Sequence, residues 1–194
     1  MEYSDLTEEA RLDNIASHYR EIIKLLGENP DREGLKDTPR RAAKALLYLM
    51  SGYSSNPVEI AHKAIFNHEG SKVVVVKDIE FYSMCEHHIL PFFGHISIGY
   101  IPDGKIIGLS KLPRIVDCFA RRLQVQENLT AQICNFLTQE IPNKGVIVSC
   151  TAGHLCMKMR GVEKQDSTTF TYECSGAFEE NDNLRKEFFK LINE

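Results

Sequence analysis

The sequence predicts an α+β domain in which an antiparallel β-sheet carries helices on one face. Two observations lead to this prediction. Apolar residues recur at helical spacing in several segments, and other segments switch to the two-residue alternation of half-buried strands. The predicted order is helices, two strands, two helices, two strands and a closing helix. We assign residues 1–70 to an N-terminal helical segment and residues 71–194 to the main domain, without a linker between them.

The N-terminal segment is predicted to contain two helices. Apolar residues from Leu12 to Leu26 lie three or four positions apart, and Gly27 follows as a stop signal. Asp37, Thr38 and Pro39 then provide a capping candidate and a proline in the first turn, which mark the start of the second helix.

The middle of the chain changes to the period of strands. Val73–Val76 is a β-branched run followed by alternation, and apolar and small residues alternate over 96–100. We expect an antiparallel pair joined through Cys85–Pro91. The Pro102–Gly104 stretch is predicted to be a turn, because proline presets φ and glycine tolerates positive φ.

The same spacing rules predict the helices and strands in the rest of the chain. The predicted elements are a helix over Leu112–Leu123, a helix over Leu129–Ile141, a turn at Asn143–Gly145, strands at Val146–Ala152 and Ser167–Tyr172, and an amphipathic helix over Leu184–Ile192.

Composition and charge exclude several classes of protein. With 194 residues, 43% of them hydrophobic and 26% charged, the chain suits one globular domain with a substantial core. The net charge of -4 argues against broad nucleic-acid or membrane binding, although it leaves room for a local basic pocket. Met1–Ala10 lacks the features of a secretory signal, and no apolar run approaches the roughly 18 residues of a membrane span. We therefore expect a cytoplasmic protein.

The six cysteines are irregularly spaced and include no C-x-x-C pair. In a reducing compartment they are not expected to form a disulfide framework. Cys118 and Cys134 fall in helical patterns and are predicted to be small core residues. Cys85 and Cys156 stand close to histidines and need another explanation.

Two short stretches combine thiol and imidazole at strand ends, CEHH at 85–88 and HLC at 154–156. These are the ligands that suit zinc. The C-x-x-H spacing lets Cys85 and His88 converge from one turn, and His154 and Cys156 share a face if they lie on a strand. Either pair alone is more often structural or incidental, but both pairs together predict a metal site. With His87 the candidates outnumber four ligands, so spacing does not decide which histidine binds.

Several stretches resemble the GTP cyclohydrolase I family in both content and order. They are Cys85–His88, Gly108–Leu112, Arg121–Glu127, His154–Gly161 and Arg185–Phe189, within a likeness that runs from about Asp37 to near the C-terminus. The resemblance implies the T-fold, a β-β-α-α-β-β unit that forms a barrel across subunits, and a toroidal homodecamer with active sites between subunits. It also implies a hydrolase that converts GTP and water into formate and 7,8-dihydroneopterin triphosphate, the entry to tetrahydrofolate and biopterin synthesis.

The resemblance also implies roles for individual residues. Cys85, His88 and Cys156 match zinc ligands, and His87 and His154 match the catalytic histidines beside the metal. The residues that match GTP-binding positions are Ser110, Lys111, Arg114 and Arg160 for ribose and triphosphate, Arg41 as a phosphate ligand from a neighbouring subunit, and Gln126 and Glu127 for guanine.

These residue types fit the opening of a purine ring. Zinc lowers the pKa of bound water to about 7, and histidine exchanges protons in that range. We expect His154 to protonate the ring and His87 to assist. Ser110 is expected to cap a helix whose N-terminus favours phosphate. Glu127 can accept hydrogen bonds from guanine N1–H and the exocyclic amine, so the site should reject ATP.

Other interpretations stay open at this point. On spacing alone, the basic residues Lys111, Arg114 and Arg160 suit a solvated surface equally well, and Glu127 suits an ordinary helix start. The chain could be a paralogue that stops at the ring-opened formamidopyrimidine, or a non-catalytic zinc module that binds protein or nucleic acid. Thr151 and Tyr172 depart from the acidic residue and the serine usual in the family. We expect them to affect rate rather than reaction class.

Overall fold

The computed structural model describes residues 6–194, so the first half of the polar Met1–Ala10 stretch lies outside the described residues. The chain divides into two compact units, one ending at Met50 and the other running from Ser51 to Glu194. The first unit contains α1 (Glu8–Leu25) and α2 (Thr38–Leu49). Both predicted helices are confirmed.

Local signals explain where α1 and α2 begin and end. The side chain of Thr7 accepts a hydrogen bond from the Ala10 N–H at 3.2 Å and so caps α1. Gly27 follows α1 with φ of 87°, a conformation that favours glycine. Asp37 precedes α2 but makes no side-chain cap bond, and its carboxylate lies 3.4 Å from the Arg41 guanidinium instead.

The second unit contains the remaining helices and all the strands of the described residues. After a single 3-10 turn at Ser51–Ser54 these are α3 (Pro57–His62), β1 (Ile65–Asn67), β2 (Val74–Cys85), β3 (Leu90–Pro102), β4 (Lys105–Ile107), α4 (Lys111–Ala120), β5 (Leu123–Gln124), α5 (Gln126–Glu140), β6 (Asn143–His154), α6 (Leu155–Lys158), β7 (Thr169–Gly176), α7 (Ala177–Glu180) and α8 (Asp182–Asn193).

The main sheet has five strands in the order β5-β2-β3-β6-β7. Its pairs are antiparallel except for a short parallel contact between β2 and β5. The β-β-α-α-β-β order expected for the T-fold is therefore confirmed. A separate antiparallel pair joins β1 to β4, and Gly104, with φ of 70°, lies in the predicted turn between β3 and β4.

Several predicted boundaries were wrong. Helix α4 ends at Ala120 because the Arg121 carbonyl leaves the helix to accept a hydrogen bond from the Gly52 N–H at 3.0 Å, so Leu123 belongs to β5. Asn143 starts β6 rather than a turn. Its side-chain amide donates to the Thr138 carbonyl in the last turn of α5 at 3.1 Å and to the carbonyl of Ile141, just after α5, at 2.6 Å. Strand β7 runs on to Gly176, beyond the predicted Tyr172.

The two faces of the main sheet differ in what covers them. Helices α4 and α5 cover one face and enclose the main core, which contains Cys118 and Cys134 as predicted. A smaller hydrophobic cluster on the other face contains Ile147 of β6 and Phe188 of α8. Gly99 makes this close packing feasible, since a Cβ there would lie 2.8 Å from the Phe188 ring. The sequence had not predicted a helix on this second face.

None of the described helices is both long and apolar enough to cross a membrane.

Candidate metal centre and active site

Cys85, His88 and Cys156 come together where β2 ends and α6 begins. Their ligand atoms all lie within 4.8 Å of one another. The Cys85 Sγ atom is 3.9 Å from the Nδ1 atoms of both His87 and His88, but His88 alone completes the group of three. Of the two histidines, it is therefore His88 that joins the group that could hold a metal ion, and its role as a ligand stays a prediction.

The turn after β2 shapes this cluster. The Cys85 carbonyl accepts hydrogen bonds from the backbone N–H groups of His88 at 3.3 Å and Ile89 at 2.8 Å. Ile89 has φ of 52°, which is unusual for a β-branched residue and costs on the order of 1–3 kcal/mol. This strained turn folds His88 back over the buried Cys85 thiol, while the His88 side chain stays exposed.

Cys156 enters from the other side, in the first turn of α6. Burial raises the pKa of its thiol, the neighbouring Cys85 raises it further, and Arg160 acts in the opposite direction. Two thiolates this close repel each other, and a divalent cation between them removes the repulsion.

The donor set fits zinc. Two thiols and one imidazole are preferred zinc ligands, and a tetrahedral zinc ion places such atoms about 3.5–3.8 Å apart. The Cys85 Sγ and His88 Nδ1 atoms are 3.9 Å apart, and all three ligand atoms lie within 4.8 Å of one another. Among the described residues this group offers three ligands, the number that proteins use in catalytic zinc sites.

His154 lies at the end of β6, two residues before Cys156. Its ring stacks on Phe92 with centroids 4.6 Å apart and planes 2° apart, because the two residues are direct partners in the β3–β6 register. Burial lowers the pKa of His154, and the Glu127 carboxylate acts in the opposite direction. The sequence did not predict the contact of Phe92 with His154, because local spacing does not show which residues of two strands are paired.

Gln126 is the second partner of His154. Its Oε1 atom lies 2.8 Å from His154 Nε2, while its amide nitrogen donates to the carbonyls of Cys150 and Thr169, both at 3.1 Å. Because carbonyls only accept, the orientation of the amide is fixed, and Nε2 of His154 must donate to it. Nδ1 is then the ring nitrogen left for chemistry.

Backbone pairing holds the chain just before α5 against the end of β2, next to Cys85. Gln124 pairs with Cys85 in the parallel β5–β2 contact, and its carbonyl accepts from the Glu86 N–H at 3.0 Å. Helix α5 begins two residues later, so Gln126 points inward with 1% exposure, whereas Glu127 is exposed.

The other predicted GTP-binding residues lie at helix starts or in loops. Ser110 stands at the N-cap position of α4 but makes no side-chain cap bond, so the predicted cap was wrong. Its φ and ψ of -66° and -10° are already helical, and a side-chain cap usually needs an extended residue. Lys111 is half-buried, and Arg114 and Arg160 are exposed. Arg41 lies on α2 in the other unit, 76% exposed at the side chain.

Thr151 and Tyr172 lie away from the face that packs on α4 and α5. Cys150 is part of the main core, so its neighbour Thr151 points to the opposite face by strand alternation, and Tyr172 pairs there with Ser149. Their predicted effect on rate stays a prediction.

Fold and site together define an α+β protein in which two cysteines and a histidine form a group that could hold a metal ion, with His154 two residues from one of the cysteines. The family model of GTP cyclohydrolase I matches residues 15–193. The chain belongs to the GTP cyclohydrolase I family.

Curated relatives agree with this assignment. GTP cyclohydrolase 1 1 of Pseudomonas aeruginosa is 54% identical over 178 residues, covering 92% of this chain and 96% of the relative. GTP cyclohydrolase 1 of Porphyromonas gingivalis is 51% identical and covers 97% of both chains. The protein of the same name from Drosophila melanogaster is 49% identical over all of this chain and 60% of its own. Among solved structures, the archaeosine synthase QueF-Like in the apo form matches with a TM-score of 0.42 and 19% identity, over 54% of this chain and 94% of its own.

Proposed function

We propose that this protein is a zinc-dependent GTP cyclohydrolase I that converts GTP and water into formate and 7,8-dihydroneopterin triphosphate. The observation that carries the proposal is the group formed by Cys85, His88 and Cys156, with His154 fixed next to it by Gln126. The relatives named GTP cyclohydrolase 1 support the choice of substrate.

The metal and the histidines divide the chemistry between them. Zinc, when held by the two thiolates and His88, supplies an activated water for attack at C8 of the purine. His154 acts through its Nδ1 atom, since Nε2 donates to Gln126. It takes up a proton at Nδ1, becoming an imidazolium, and passes that proton to N7. His87, whose Nδ1 lies 3.9 Å from Cys85 Sγ, assists further proton transfers.

Charged residues around this centre select the substrate. Glu127, whose carboxylate is close enough to affect the pKa of His154, accepts hydrogen bonds from guanine N1–H and the exocyclic amine. Arg160 is close enough to Cys156 to lower the pKa of its thiol. Together with Lys111 and Arg114 at the start of α4, it holds the phosphates. Ser110 contacts the ribose or triphosphate.

The assembly and setting follow the family. The active form is a homodecamer with sites between subunits, in which Arg41 reaches the phosphates of a neighbouring site. Its exposed guanidinium and weak partner at 3.4 Å leave it available for this role. The enzyme works in the cytoplasm, at the first step of tetrahydrofolate and pterin synthesis.

The test is to incubate the protein with GTP, with and without a zinc chelator, alongside Cys156→Ser. Formate release and the fluorescence of the oxidised pterin report the two halves of the reaction. We expect both signals in the wild type, and neither after chelation or in the variant.

Two outcomes would redirect the proposal. Formate without a pterin signal would mean that the chain stops after ring opening and hydrolysis of the formyl group, and a formamidopyrimidine without formate would mean that it stops earlier. Bound zinc with untouched GTP would instead favour a non-catalytic zinc module.

A further inference from the structure

A cavity of about 420 Å³ opens on the sheet face opposite α4 and α5. Strands β2, β3, β6 and β7 form its floor, and the last turn of α8 forms one side. It lies outside the cluster of Cys85, His88 and Cys156, none of which lines it. Its size is in the range that holds small organic ligands.

Two serine residues line this cavity, and their hydroxyls have unused hydrogen-bonding capacity. Ser97 and Ser149 are direct partners in the β3–β6 register and are 6% and 4% exposed. Ser149 makes no side-chain hydrogen bond to any other described residue, and Ser97 accepts a single one, from the Asp78 N–H at 3.3 Å. Both serines line the cavity, so their hydroxyls can hydrogen-bond to a polar ligand or to water there.

Asp78 brings a carboxylate to the rim. It occupies a bulge between Val76 and Ile79 with φ of 57°, which places it in the cavity lining. No ion pair between described residues involves Asp78, and neither lysine nor arginine lines the cavity. His95 is the lining residue that could carry a positive charge. The unpaired carboxylate favours a cationic ligand over an anionic one.

Three aromatic rings complete the wall. Phe170 and Tyr172 have centroids 6.3 Å apart, and Phe189 of α8 meets them edge-on at 6.0 Å and 5.4 Å. Phe170 and Tyr172 remain 52% and 48% exposed. A carboxylate beside clustered aromatic faces suits an organic ammonium group, and the flat walls suit a ring.

We propose that this cavity is a second ligand site, separate from the metal centre, for a small aromatic amine. Its ammonium group would pair with Asp78 and donate to Ser97 and Ser149, while its ring would pack against Phe170 and Tyr172.

The test is ligand-observed NMR titration of the zinc-loaded protein with 2-phenylethylamine, compared with 2-phenylethanol and phenylacetate. We expect saturable binding of the amine and much weaker binding of the neutral and anionic analogues. Asp78→Asn should weaken amine binding roughly tenfold, the scale of a charge-assisted hydrogen bond. Asparagine tolerates positive φ, so this variant should keep the bulge, which a thermal melt would check.

Matched controls separate this site from others. Glu80→Gln removes a carboxylate from the same strand outside the cavity and should leave binding unchanged, whereas Ser149→Ala and Phe170→Ala should weaken it several-fold. Excess GTP should not displace the amine. Equal binding of 2-phenylethanol, an unaffected Asp78→Asn variant or displacement by GTP would overturn the proposal. None of these readouts depends on turnover of GTP.

Discussion

The Oε1 atom of Gln126 lies 2.8 Å from Nε2 of His154, and two backbone carbonyls hold the other end of the same amide. Gln126 thereby fixes both the ring orientation and the tautomer of the proposed proton donor. This role differs from the guanine contact that the family resemblance implied for Gln126, and kinetics can separate the two.

We expect Gln126→Met to lower kcat roughly 10- to 100-fold, because His154 loses its orienting partner. The KM for GTP should stay within about twofold, whereas loss of a guanine contact would raise KM. Thr171→Val is the control, since it removes a 3.2 Å partner of the Gln126 amide but leaves both carbonyl acceptors. A raised KM with unchanged kcat would contradict the positioning role.

Metal content should distinguish ligands from catalytic histidines. We expect purified Cys156→Ser and His88→Ala to lose most of their zinc, because each removes one of three ligands. His154→Ala should retain it and still fail to turn over GTP, because His154 is held by Gln126 rather than by the cluster. Elemental analysis of each variant gives the answer, and a zinc-free His154→Ala protein would make His154 a ligand.

Base selectivity should depend on Glu127. We expect Glu127→Gln to lower kcat/KM for GTP roughly 10- to 100-fold, the scale of a hydrogen bond to a charged group. The loss should be smaller for ITP, which lacks the exocyclic amine. Glu140→Gln, at the far end of the same helix, should leave both substrates unaffected. An equal loss for GTP and ITP would argue that Glu127 does not contact that amine.

The β3–β6 pairing should depend on Gly94. A Cβ atom at this position would lie 2.0 Å from the Thr151 carbonyl oxygen, which the backbone cannot avoid without breaking the pair. We expect Gly94→Ala to lower the free energy of unfolding by at least about 3 kcal/mol. Gly153→Ala in the adjoining strand is the control, since its nearest atom is the mobile Lys158 Nζ at 2.9 Å. Similar urea midpoints for both variants would contradict this reasoning.

A buried thiol should make stability fall at alkaline pH. Burial raises the pKa of Cys150 from about 9 to about 12. The folded state therefore holds its proton more tightly than the unfolded state, and the stabilisation is fully present below pH 9 and lost as pH rises towards 12. The loss should be about 1.4 kcal/mol per pH unit in that window. Unfolding of Cys150→Ala should show a correspondingly shallower slope, and equal slopes would refute the shift.

Much of the fold was predictable because it depends on local period. The alternation around Val76 and Ile98 and the helical spacing around Ile115 and Ile133 led to the confirmed strand and helix order. The wrong boundaries lie where a contact with a residue outside the element determines where the element starts or ends. Arg121 ends α4 through Gly52, and Asn143 caps α5 from within a strand.

The residue types of the candidate site were predictable from the sequence, but their contacts were not. The cysteines and histidines were visible as residue types at suitable spacings, and their geometry as a group agrees with that reading. The position of His88, rather than His87, in the group that could hold a metal depends on the turn at Ile89, which no local pattern predicts. The pairing of Phe92 with His154 required the strand register, which no local pattern encodes.

Strand β6 places Cys150 in the main core and the neighbouring Ser149 and Thr151 in the cavity on the other side, and it ends at His154. Deleting one residue within β6 would turn the core-facing side chains towards the cavity and the cavity-facing side chains towards the core. It would also move His154 away from its present position. We therefore expect evolution to vary this strand by substitution, and to change its length only in steps of two. The same restriction applies to any engineered insertion.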